Sequence, residues 1–161
     1  MADLRELATK VGLTDPKTYA QSGNLIFETD LDEAGTVAVL EETLKARFSF
    51  DMRVITRSAE EIREIAAHHP LSHLGLDHRL LQVAFLDRPP SQPVGDLIEA
   101  DEHGPDRFQA DGREVYLAYP NGSARSKLGH ALLESRLGVS VTLRNWRTVS
   151  RLAEIASSRC G

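Results

Sequence analysis

Cysteine is almost absent from this 161-residue chain. The single Cys160 is the penultimate residue, which excludes an internal disulfide and a cysteine-rich zinc site and fits a cytoplasmic protein. Long apolar runs are also missing. The opening Met-Ala-Asp-Leu-Arg-Glu-Leu is charged and amphipathic, so it reads neither as a secretory signal nor as a membrane span, and no later run is long enough to cross a bilayer. No His-Glu-x-x-His pattern, Walker loop or assignable Ser-His-Asp set occurs. Lysine is scarce as well, with 4 against 15 arginines, and the net charge of −5 argues against a general nucleic-acid coat. What remains is ordinary globular composition, 41% hydrophobic and 27% charged, with room for one domain or two small lobes.

Charge is uneven along the chain. From Arg113 onward eight bases face three acids, giving +5, while the preceding residues carry −10. A basic final third on an acidic protein suggests a local anion site rather than a long phosphate track.

Periodicity sets out the elements in order. Leu4, Leu7, Ala8 and Val11 have helical spacing, ended by Gly12. Thr18–Gln21 and Leu25–Phe27 read as strands around Ser22-Gly23-Asn24, a helix follows from Asp32 to Phe48, and Met52, Val54 and Ile55 mark a further strand. Ser58 to Glu61 is a capping box opening the next helix. Residues 71–79 form a histidine-rich connection, so two lobes are expected, 1–70 and 80–161. In the second, Leu80–Leu86 is an apolar strand, Val94–Ala100 a short helix, Asp101–Asp106 an acidic turn, and Arg107–Ala110 with Glu114–Tyr119 a hairpin closed by Asp111-Gly112. A helix from Arg125 to Leu137, a strand through Val139, Val141 and Leu143, and a last helix capped by Asn145 complete it.

The order hairpin, helix, strand, helix thus occurs twice, at Thr18–Ala67 and Arg107–Ala156. It predicts an α+β protein of two ferredoxin-like lobes in tandem, antiparallel sheets with helices on one face, the first lobe lacking its first strand.

Four blocks concentrate polar chemistry: Tyr19-x-Gln21-Ser22-Gly23-Asn24, Tyr119-Pro120-Asn121-Gly122, Arg125-Ser126-Lys127-Leu128 and Thr142-x-Arg144-Asn145-Trp146-x-Thr148. Their order resembles the signature blocks of the domain of unknown function 1697 family over nearly the whole chain. The resemblance implies a two-lobed, mostly bacterial α+β protein and brings no settled activity. Members typically open with an extra strand and an Arg-Gly-Ile-Asn-Val-Gly loop just before the position of Met1, a block this sequence lacks. Loss of a central strand would expose two strand edges and favour a homodimer or strand exchange.

The leading site expectation is a pair of helix starts, at Ser123–Lys127 and Arg144–Thr148. Their N–H groups and dipoles, with Arg125, Lys127 and Arg144 as charge partners, would hold a phosphorylated small molecule or nucleotide. Ser126, Asn121 and Asn145 would orient it, and Tyr119 or Trp146 would wall the pocket. The same serines and Asn145 also read as plain caps, and the aromatics as core with a hydrogen-bonding tip. Gln21 and Asn24 bracket Gly23 as a candidate polar turn or a simple hairpin. His68, His69, His73, Asp77 and His78 read as a solvated loop, so no metal or cofactor is expected. The alternative is a nucleic-acid-binding or oligomeric interaction module in which the arginines are exposed contacts.

Overall fold

The computed structural model describes residues 2–19, 23–49 and 51–160. They form two compact units, one ending at Ser58 and the other beginning at Ala59. The expected connection at 71–79 would leave the third helix in the first lobe; it belongs to the second unit because it packs on the C-terminal helix.

In the first unit, α1 (Ala2–Lys10) is stopped at Gly12, whose φ of +91° lies where side chains are strained. β1 (Thr14–Tyr19) and β2 (Asn24–Glu28) pair antiparallel, with a register shift between Thr14 and Lys17. That irregularity absorbs Pro16, which has no N–H to give a ladder. α2 (Glu33–Phe48) starts where the Asp32 carboxylate accepts from the Gly35 N–H at 2.7 Å, and it buries Thr36, Leu40 and Leu44 as a single line of i, i+4, i+8 residues. Ala8, Leu13 and Leu40 form the core, with Val11, Leu25, Phe27 and Val54 packed against it.

The expected strand at Met52–Ile55 does not form: residues 51–58 carry no regular structure. A strand needs a neighbouring backbone, and among the described residues β1 and β2 pair only with each other. Side chains take over. The Val54 N–H donates to Glu41 Oε1 at 3.0 Å, and the Thr56 hydroxyl donates to Glu33 Oε1 at 3.0 Å.

The second unit comprises α3 (Ala59–Ala67), β3 (Leu81–Leu86), α4 (Val94–Leu97), β4 (Arg107–Asp111), β5 (Glu114–Ala118), α5 (His130–Leu137), β6 (Val141–Asn145) and α6 (Trp146–Cys160). Its sheet runs β4-β5-β3-β6 with every pair antiparallel. Central β3 is the continuous apolar run of the sequence, since a strand covered on both faces of its sheet has little solvent face to offer polar residues. One face packs Ala84, Leu86, Val115, Leu117 and Val141 against Val94, Leu133 and Leu137 of α4 and α5. On the other face His69 lies between Tyr116 of β5 and Trp146 of α6. Helices therefore cover both faces rather than one, because α6 leaves β6 on the side opposite α5.

Candidate functional site

Two chain segments meet at one end of the second sheet. β5 runs out into the loop 119–129, and β6 runs into α6. Gln82 of β3 joins them: it is paired in register with Asn145, and its Nε2 donates to Ser123 Oγ at 3.3 Å.

The loop is pinned from within. Gly122 N–H donates to Tyr119 O at 2.9 Å, closing a turn with Pro120 at its second position, and Gly122 has φ +86°. The Tyr119 hydroxyl donates to Leu128 O at 2.6 Å, and Ser126 Oγ donates to Asp106 Oδ2 at 2.5 Å while accepting from the Leu128 N–H at 3.1 Å. These bonds replace the expected helix. Residues 121–129 are turns, α5 begins only at His130, and no helix start exists at Ser123–Lys127. Ser126 is committed to Asp106 and Leu128, and Gly129 is extended with no side-chain cap, so helical turns cannot extend N-terminally past it.

The predicted site residues scatter accordingly. Asn121, Arg125, Lys127 and Asn145 are exposed at this end of the sheet, and Ser126 is half-buried. Asn145 Oδ1 accepts from the Thr148 N–H at 2.8 Å and caps α6, as its sequence position implies. Arg144 lies on the opposite face, because neighbouring strand residues alternate. It pairs in register with Val83, in the same row as Tyr116, and its Nη1 donates to Thr142 Oγ1 and Leu143 O at 2.8 Å each. Burial lowers its pKa. Tyr119 and Trp146 are core, 1% and 6% exposed. Burial raises the Tyr119 pKa, with the nearby Asp106 charge adding to the shift. Asn24 belongs to the first unit, where its Nδ2 donates to Tyr19 O at 3.0 Å. Gln21 lies outside the described residues.

Three residues that organise this region carried no sequence signal strong enough to single them out. Gln82 sits in an apolar run, and Asp106, 8% exposed, ends what reads as an acidic turn. His69 belongs to a cluster that reads as solvated; His68, His73 and His78 are indeed exposed, but His69 is 2% exposed. Among the described residues no group of three His, Cys, Asp or Glu side chains is arranged to hold a metal ion. Among the described residues no helix is long and apolar enough to cross a membrane.

No curated protein matches the chain. Among solved structures it is similar to the conserved bacterial protein SP0830 from Streptococcus pneumoniae, with a TM-score of 0.73 and 19% identity over 98% of this chain and 88% of that one. At that identity the likeness shows the fold. The description "Protein of unknown function (DUF1697)" matches residues 1–116, so the motif blocks from Tyr119 onward lie beyond the matched stretch. With most of its length matched, the chain belongs to the DUF1697 family.

Proposed function

We propose that the second unit binds a phosphorylated small molecule or nucleotide at the end of the sheet formed by loop 120–127 and the start of α6. The carrying observation is that Arg125 and Lys127 stand exposed on a loop pinned by Tyr119 and Ser126, and that Ser123 ties this loop to Gln82, the register partner of Asn145. A fixed loop holds two cations at low entropic cost, and the first N–H groups of a 15-residue helix supply the positive dipole end. Asn121 orients the ligand. Arg144, Tyr119 and Trp146 have no part in this version of the site, since they are turned into the structure.

The strand order β4-β5-β3-β6, with α4 and α5 on one face, supports a ferredoxin-like reading of the second unit, and the hairpin and helices of the first support a shorter version of the same plan. A homodimer through the first unit's strand edges and a cytoplasmic location belong to the same proposal.

Thermal stability across nucleotides, sugar phosphates, inorganic phosphate and oligonucleotides tests it. A ligand at 100 times its Kd should add about 2.7 kcal/mol, an easily measured shift, to the parent and not to the Arg125→Ala/Lys127→Ala variant. Equal shifts in both proteins would sink the site. The second reading, a nucleic-acid-binding or interaction module, is favoured by the openness of Arg125 and Lys127 to solvent. It predicts oligonucleotide binding that weakens steeply with salt, and no response to mononucleotides.

A further inference from the structure

The segment between α3 and β3 is tied to the sheet near its start by one buried imidazole, and at its end by the Tyr119 N–H donating to Leu80 O at 2.9 Å. His69 stands edge-on to both Tyr116 and Trp146, with ring centroids 5.1 and 5.0 Å away and interplanar angles of 75° and 86°. Its Nδ1 accepts the Leu71 N–H at 3.1 Å, so Nδ1 carries no proton. Nε2 therefore carries it and donates to Gln82 O, also at 3.1 Å. Both ring nitrogens are used, and only the neutral form with the proton on Nε2 satisfies both partners.

We propose that His69 is an acid-released latch: neutral, it ties residues 68–77 to the sheet, and on taking a second proton it frees that segment and uncovers Tyr116 and Trp146. A protonated ring would turn an N–H at Nδ1 toward the Leu71 N–H, two donors facing each other with no acceptor between them. The surroundings give such a charge little help. Burial is the largest influence and lowers the pKa of His69; the Gln82 carbonyl opposes it, His68 and His78 lower the pKa further when charged, and the Leu117 backbone opposes them least of all. From β5 it faces Tyr116, whose hydroxyl is pushed up to about 12 and stays neutral, with Glu114 one row along the same face. From β6 the same face carries the Arg144 guanidinium, and from α6 the non-titrating Trp146.

The segment itself is suited to release. Before its last turn at 78–80, which the Tyr119 N–H to Leu80 O bond holds to the sheet, its other bonds are internal, including Ser72 N–H to His69 O, Leu74 N–H to Leu71 O, and His73 Nδ1 with Pro70 O.

The test is hydrogen exchange of amides 71–77 at pH 7.5 and 5.0, corrected for the intrinsic pH dependence, with emission from Trp146, the sole tryptophan, read in parallel. Acidification is expected to speed exchange of these amides more than tenfold and to shift the Trp146 emission, while the β3 and β5 amides stay protected. His69→Asn keeps an acceptor for the Leu71 N–H and does not titrate, so it should abolish both changes. A variant with His68, His73 and His78 all changed to Gln should retain them. The latch is refuted if parent amides 71–77 are equally protected at both pH values, or if His69→Asn keeps the acid response. Should His69→Asn fail to fold, loss of the response in the triple variant overturns the proposal, and its retention supports it.

Discussion

Hairpin, helix and extended segment follow one another in both units, yet one builds a two-stranded sheet and the other a four-stranded one. The contrast is sharpest between Val54-Ile55-Thr56-Arg57 and Val141-Thr142-Leu143-Arg144. Both have the apolar and β-branched composition of a strand, and only the second is one. Local geometry is shared even so: Arg57 Nη1 donates to Thr56 O, and Arg144 Nη1 to Leu143 O, each at 2.8 Å. The difference lies in the partner. β6 has β3 beside it, whereas residues 51–58 have no strand to pair with among the described residues of the first unit. Propensity proposes extended backbone, and a neighbour is needed to make it a sheet.

Burial follows the same division and sets the largest expected effect. β5 is buried along nearly its whole length, while Leu25, Ile26 and Phe27 of β2 are only half-buried. Leu117→Ala, at a fully buried position, should cost about 2–5 kcal/mol, against about 1 kcal/mol for Ile26→Ala. Urea unfolding followed by Trp146 for the second unit, and by the amides of residues 24–28 for the first, separates the two. Equal costs would mean that the units are equally well packed, and the comparison would fail.

Much of this was readable in the sequence, and the failures have one physical origin. The Asp111-Gly112 hairpin, the β3 run, the Asn145 cap and the length of α2 are set by residues near in sequence, and all are found. The missing strand at 52–55, the late start of α5 and the burial of His69 depend on distant groups: an absent neighbour strand, Asp106 reaching Ser126, and Tyr116 with Trp146 enclosing a ring. The candidate site suffered most, because one of its two helix starts existed only as a local propensity that Asp106, 20 residues away, overrides.

That override can be measured. Tyr119→Phe removes the donor to Leu128 O inside the core of the second unit and leaves a buried carbonyl unmet, a loss of about 1–3 kcal/mol. The variant should also loosen residues 120–129, visible as faster exchange of the Leu128 amide. No change in either quantity would show that the loop is held by packing alone.

Acid separates the units next, because all six histidines lie after Ala67 and the first unit has none. His69 has its pKa lowered in the fold, so the unfolded chain, titrating near 6.5, takes the proton first. The contribution is therefore complete above pH 6.5 and is lost as pH falls towards the folded-state value, with a limiting slope of about 1.4 kcal/mol per pH unit. Stability of the second unit, measured in urea from pH 8 to 5, should show this slope, and His69→Asn should flatten it. The cap variants Asn145→Ala and Asp32→Ala are smaller and should be equal, about 1 kcal/mol each by thermal unfolding, since each frees one backbone N–H at a helix start.

The smallest stability effect belongs to the residues with the largest proposed functional one. Arg125 and Lys127 are exposed, and the loop beneath them is held by Tyr119, Ser126 and Asp106 rather than by their charges. Removing both side chains should leave unfolding within about 0.5 kcal/mol of the parent, as for most exposed positions away from caps and cores. Arg144→Ala should behave differently, because its guanidinium is half-buried and bonded to Thr142 and Leu143. Arg144 is therefore a poor probe of ligand binding, since a lost response there would confuse folding with recognition. The double variant is clean: an unchanged urea midpoint together with loss of phosphate-compound stabilisation assigns the cations to binding. A destabilised double variant would show instead that the loop needs its charges to fold.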